Sequence, residues 1–583
     1  MFLVLVISAW VGVRGFLAAQ ELQAAIPLAA RVQVEFATGD VLKATATSEE
    51  IVDRAQAAVD LTSDPLWRLV EAVPLVGPSL TAVRQAAAIT DSVAQDAVYP
   101  LVSQVSDIGL DGFQPVDGAV NLQPLIAAQP VVAAARTALS KAADDAARIE
   151  TDGTIGFISD AIGTLRGSVA GAEGLIEGVD RAVTLIPRMM GADGDRNYLL
   201  LFQNPAELRS GGGITSALAQ VTTSAGSVNL SQQASGTDFR YETPVVPLPP
   251  ESVALYGDRA ARYVQNTTLV PQFELSGQIA SAMWLDRFGV QTDGAIAFDP
   301  VALSYLLEAT GPIWLPASGV ELNSGNAVWF LLSNVYARYE DPAAQDAVFA
   351  EAAKAVFDRV SAGSLNPAAL ITALSRAGQE GRFKIWSAHP EDQEILVGTT
   401  LAGGLPVSDP ESTGIGVYLN DGTGAKMDFY LNTAVAIEGR LCRADGRPTI
   451  RAEVTLTSTA PVDAGAVLPA YVTGGGSFGV TPGNVKTVIY VYGPEGVDPD
   501  EPVLITDVDP GLEGGSSFSS RDQNRLVAGF PVELAPGETR TVAVEFVAPT
   551  GSSTEITPVI TPGVHPTVYS TETIGSFSGC EVG

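Results

Sequence analysis

Arg209 is followed by Ser210 and by three glycines, Gly211, Gly212 and Gly213. Glycines let backbone N–H groups approach an anion closely, and a guanidinium grips phosphate through two parallel hydrogen bonds. Arg209, Gly211 and Gly212 are therefore candidates for a phosphate site, with Arg338 as a second guanidinium further along the chain. Asp299 and Asp341 could complete it by holding magnesium, which takes one or two carboxylates plus phosphate oxygens. Each candidate also has a plainer reading. Glu207 and Arg209 can be solvated charges on a surface turn, and Arg338 can pair with Glu340 or Asp341. Asp299 and Asp341 each precede a proline, Pro300 and Pro342, which suits both as helix N-caps without any metal.

Other chemistry is narrowed by what the chain lacks. Two histidines (His389, His565) and two cysteines (Cys442, Cys580) are too few for a zinc or iron–sulfur site built from three or four N/S ligands. A Ser-His-Asp or Cys-His enzyme would have to use one of those two histidines. His389 sits in a loop before Pro390 and reads as structural, and His565 has no catalytic neighbours in sequence. Asp498, Asp500 and Glu501 offer oxygens for calcium but lack EF-hand spacing, so a solvated acidic turn is the simpler reading. Lys and Arg total 33 against 66 Asp and Glu, a net charge of −33, which repels phosphate backbones and argues against nucleic acid as a partner.

The elements that must position these residues fall into three regions. With 583 residues, 46% hydrophobic, 17% charged and a mean hydropathy of +0.21, the chain has room for several folded domains and is not disordered. Residues 1–19 open with an apolar run, Phe2 to Val13, broken by Arg14. Twelve residues are short for a bilayer span, which needs about 20. Three readings stand: a transmembrane anchor lacking its basic start, a signal segment, or a buried core helix. The first two send the rest of the chain outside the cytoplasm. In an exported chain, Cys442 and Cys580 most simply form one disulfide, worth roughly 4–5 kcal/mol for so long a loop; two unpaired thiols are the alternative.

Only eight of the 40 aromatic residues precede residue 190, and alanine, valine and leucine recur there at helical spacing. Residues 20–190 are expected to form a helical stalk, with Ser79 capping one helix and Pro100 closing it. From Asn197 the pattern changes: Tyr198 to Phe202 is an apolar run of strand length, and Ile214–Thr223 with Ser227–Leu230 reads as a hairpin. Gly294 to Phe298 is a short strand leading into a helix capped by Asp299 and ended at Gly311, and the device recurs at Asp341-Pro342 and Asn366-Pro367. Residues 195–410 are thus expected to be an α/β domain. Alternation at Ile450–Leu456 and Val542–Phe546, between Pro/Gly turns, predicts an immunoglobulin-like β-sandwich over 430–583. The expected class is multidomain α+β.

Four separated strings carry a resemblance. Asn197 to Arg209 with the glycines after it, Thr292 to Pro300, Ala309 to Pro312, and Val417 to Asp421 with Lys426-Met427-Asp428 resemble the signature of the actinobacterial domain-of-unknown-function family 4012. That resemblance implies a membrane-anchored, extracytoplasmic envelope protein of unassigned activity. The order of strand, arginine-bearing loop and capped helices more distantly resembles the LytR-CpsA-Psr family, which transfers glycan polymers from polyprenyl-pyrophosphate carriers with arginines and magnesium. By position Arg209 would match that family's early arginine, and Arg338 with Asp341 its late R-x-x-D region. The early loop here lacks an Arg-Asp pair, since Ser210 follows Arg209. Two functions are carried forward: an envelope protein that binds glycan or protein partners, and a magnesium-dependent transferase or hydrolase acting on a lipid-linked glycan.

Overall fold

The structure is a computed structural model that describes residues 2–37, 40–108, 118–361, 367–441, 443–496, 504–508 and 517–574. Cys442, Cys580 and the acidic run 498–501 lie outside the described residues, so the expected disulfide and calcium turn do too. The chain divides into two compact units, Met1–Asp195 with Ser224–Ser227, and Arg196–Thr223 with Val228–Gly583.

The first unit is helical: α1 Phe2–Ala37, α2 Val41–Thr62, α3 Pro65–Val70, α4 Gly77–Val93, α5 Tyr99–Ile108, α6 Gln123–Ala147 and α7 Gly156–Met189. The apolar start runs straight on into α1, which packs along α2 and buries Val11, Ala18, Ala25 and Leu28. Arg14 donates to the carbonyls of Leu61 and Asp60. Among the described residues no helix is long and apolar enough to cross a membrane.

Small side chains let these helices approach closely, and Ala82, Ala86, Ile89, Ala142, Ala146, Ile162 and Val169 form one shared core. Two local expectations are corrected. Ser79 lies inside α4 and accepts a hydrogen bond from the Ile155 amide at 3.1 Å, so it ties two segments together and caps nothing. Pro100 sits within α5 because a π-helical turn at Ala94–Val98 precedes it. That wider turn absorbs the clash a proline makes with the carbonyl four residues back, here Asp96.

The second unit begins with β1 Arg196–Arg209, β2 Gly212–Ser224, β3 Ser227–Ser235 and β4 Gly294–Phe298, then a small hairpin of β5 Ile313–Leu315 and β6 Val320–Leu322, then β7 Phe383–Ser387. The sheet order β3-β2-β1-β4-β7 is mixed, since β1 runs parallel to β4 but antiparallel to β2. Helices Phe273–Phe288 and Pro300–Thr310 belong to the same α/β region.

Beyond it come β8 Thr413–Asp421, β9 Leu431–Arg440, β10 Thr449–Ser458, β11 Val485–Glu495, β12 Leu504–Val508, β13 Phe518–Asp522, β14 Arg525–Leu534, β15 Thr539–Val547, β16 Ile556–Ile560 and β17 Val568–Ile574. They form two five-stranded sheets, β12-β15-β10-β9-β17 and β13-β14-β11-β8-β16. Ile450, Ala452, Val454 and Leu456 are buried while Arg451, Glu453 and Thr455 between them are not, as one covered face per sheet requires. Leu208 of β1 and Tyr336 share this core with Val454, Ile489, Phe530 and Phe546. The α/β region and the β-rich region are therefore joined through a common interior.

Candidate functional site

β1 is paired on both sides only over its first half. Tyr198–Phe202 bonds to Gly294–Phe298, after which the register against β2 slips twice, between Phe202 and Gln203 and between Asn204 and Leu208. Pro205 supplies no N–H, and the Asn204 side chain takes over by accepting from the Ala206 amide at 3.0 Å. The bulge carries the end of β1 toward β8. Residues two apart share a strand face, so Glu207 and Arg209 point the same way while Leu208 points into the β-rich core.

On that shared face lies a buried ionic cluster. Arg209 Nη2 donates to Glu207 Oε1 at 2.9 Å, and Lys426 Nζ donates to Glu207 Oε2. Arg209 Nη1 lies 3.9 Å from Asp421 Oδ2, and Asp428 Oδ2 accepts the Leu208 amide at 2.7 Å. The Lys426 ammonium stands 5.8 Å from the ring centres of both Tyr336 and Tyr471. Neutral groups complete the frame: Asn420 Oδ1 accepts the Ser210 amide at 2.7 Å, and Thr561 Oγ1 donates to the Ser210 carbonyl at 3.0 Å. Side-chain exposure is 8% for Arg209, 9% for Glu207 and zero for Asp421, so these charges see each other more than they see water.

Their titration follows from that isolation. Burial pushes the Glu207 carboxyl up, but Lys426 and Arg209 more than reverse the push, and it titrates below its ordinary value. Asp421 goes the other way, to about 6, through burial and the charge of Glu207. Asp428 is driven well above the carboxylate range by burial and then by Asp421. Burial pulls Lys426 down, and Glu207 and the two tyrosines more than restore it, so its ammonium is held firmly charged.

The sequence-derived candidates each have partners of their own, although Lys384 links two of them, bonding Gly211 and feeling the charge of Asp299. The three glycines are buried against protein: the Gly211 amide donates to the Thr268 carbonyl at 2.9 Å, and Lys384 Nζ donates to the Gly211 carbonyl at 2.7 Å. A side chain at Gly213 would meet the Asn204 carbonyl carbon at 2.3 Å, so close backbone approach accounts for that glycine. Arg338 is exposed and lies over the Tyr339 ring at 5.4 Å. Asp299 is buried, caps the helix through the Ala302 amide at 2.7 Å and receives Arg382 Nη1 at 2.8 Å. Asp341 is exposed and accepts the Ala343 amide at 3.0 Å. Arg209, Arg338, Asp299 and Asp341 share no hydrogen bond or ion pair. The two aspartates do not fit a magnesium pair, because both oxygens of Asp299 are already taken by a backbone amide and a guanidinium. Among the described residues no group of three or more His, Cys, Asp or Glu is arranged to hold a metal.

What sequence reasoning missed is the company Arg209 keeps. Lys426 and Asp428 are 219 and 220 residues from the β1 groups they bond, Glu207 and Leu208, and only the clustering of polar residues in the four strings hinted at them. His389 Nε2 is 2.7 Å from Asp293 Oδ1, which also fits its structural reading.

Fold and site together define a multidomain α+β protein: N-terminal helices, a central mixed sheet, and β-rich sheets locked to it through buried charges. Residues 193–336 match the model of a family described as "Protein of unknown function (DUF4012)", so the chain carries a DUF4012 domain there. No curated protein and no solved structure matches the chain.

Proposed function

We propose that this chain is an extracytoplasmic cell-envelope protein that binds envelope glycan or protein partners, with the DUF4012 domain serving as the structural hub of its second unit and the C-terminal sheets as an immunoglobulin-like sandwich. The observation that carries this reading is the engagement of Arg209: its guanidinium is already bonded to Glu207 at 2.9 Å inside the protein. A pyrophosphate would have to displace a buried carboxylate that also neutralises Lys426. An adaptor has no such conflict, and a surface of net charge −33 suits a neutral glycan or a basic protein face better than an anionic lipid carrier.

The test uses the full chain. Saturable retention on purified insoluble cell-wall glycan, together with indifference to a polyprenyl-pyrophosphate carrier with or without magnesium, is the expected result. Magnesium-dependent binding of the carrier, weakened by Arg338→Ala, would overturn it and make the chain a divergent transferase.

A further inference from the structure

The junction between β1 and the 420–428 segment contains more acid than base. Glu207 and Arg209 enter it from β1, Asp421 from the end of β8, and Lys426 and Asp428 from the turn that follows. The Tyr336 and Tyr471 rings cover Lys426 from the remaining sides. Three carboxyl groups thus face two cations in a space closed to water. Every oxygen of Glu207 and Asp421 has a partner: Glu207 takes Arg209 and Lys426, and Asp421 takes the amides of Thr423 at 2.8 Å and Gly424 at 2.6 Å. Asp428 Oδ1 is buried and has no hydrogen-bond partner among the described residues. An ionised oxygen left so would be very costly, whereas a neutral carboxyl is tolerable.

We infer that closing this junction takes up a proton, so that acidification from neutral pH clamps the DUF4012 strand more tightly to the β-rich region. Protonated Asp428 balances the cluster at two charges of each sign, and protonating Asp421 as well relieves its repulsion with Glu207. The direction follows from the sign of each shift. A carboxyl raised in the folded state, from 3.8 to about 6 for Asp421, favours folding below that value and loses its contribution as pH rises through about 6. Glu207 is lowered, so its contribution holds above its ordinary 4.5 and is lost only in stronger acid.

The experiment is hydrogen exchange of the full chain, following the Leu208 and Ser210 amides, which bond across the junction to Asp428 and Asn420. Corrected for intrinsic rates, their protection is expected to be higher at pH 5 than at pH 7.5 by at least about tenfold, with Asp421 and Asp428 both contributing. Asp421→Asn should reduce that rise about tenfold, and the double variant with Asp428→Asn should abolish it. Asp428→Asn, which places a neutral group of the same shape there, should keep both amides protected above pH 8, where the wild type loosens. Equal protection of the wild type at the two pH values, or a rise that survives in the double variant, would overturn the inference.

Discussion

The helical unit and the mixed unit both rest on apolar cores, and they differ in where their charges go. In the first, cores are made of alanine, isoleucine and valine, and ion pairs such as Arg148 with Asp144 and Asp145 stay at the surface. In the second, Glu207, Arg209, Lys426 and Asp428 are buried, and so are Arg382 and Asp299, whose side chains are 3% and 2% exposed. Apolar packing is forgiving, because a lost methyl group costs little and strands no charge. A buried ion pair is not: replaced wholesale by apolar groups it is often dispensable, but losing one member leaves the other uncompensated. The second unit therefore adds to its apolar cores a few positions at which one substitution strands a buried charge.

Four substitutions sharpen that contrast. Glu207→Ala strands Arg209 and Lys426 together, and should destabilise the second unit by about 3–5 kcal/mol, read as lost hydrogen-exchange protection across 196–209 and 413–431. An effect below about 1 kcal/mol would mean that water reaches the cluster and would remove the contrast. Next comes Tyr492→Phe. The Tyr492 hydroxyl donates to Asp522 at 2.9 Å and lies 2.7 Å from that of Tyr256. Losing it should cost about 1–3 kcal/mol in denaturant unfolding, because a buried carboxylate oxygen and a buried hydroxyl each lose a partner. Ile89→Val in the helical core should cost about 0.5–1.5 kcal/mol, the same measurement applied to the first unit. Arg148→Ala should leave the unfolding midpoint unchanged, since its side chain is 70% exposed.

The parts of the fold written in neighbouring residues were legible in the sequence. Asp299-Pro300 announced a helix start, and Asp299 does cap it, with Gly311 just past the end. The Tyr198–Phe202 run is the middle of a strand flanked on both sides, and alternation marked β10 and β15. The misplaced helix end at Pro100 has a local cause, the π-helical turn just before it that makes room for the ring. The candidate site was half legible. Arg209 and its glycines stand out by type, yet no rule of spacing says that their partner is Glu207 two residues back, neutralised in turn by Lys426 219 residues on. Electrostatic complementarity across such a separation is a property of the finished fold. The same blindness affected Asp299, where a cap was foreseen and the guanidinium of Arg382, 83 residues away, was not.

The bond from Thr561 to the Ser210 carbonyl spans 351 residues. At a synthesis rate of 5–20 residues per second, the end of β1 emerges roughly 20–70 s before the residue that completes it. For that interval a strand bearing Glu207 and Arg209 has no Lys426, no Asn420 and no covering sheet, and its unpaired edge is open to other chains. Such a chain is slow to finish, dependent on whatever shields it during synthesis, and poorly served by being cut at the end of its matched segment, because the residues that close β1 have not yet been made at that point.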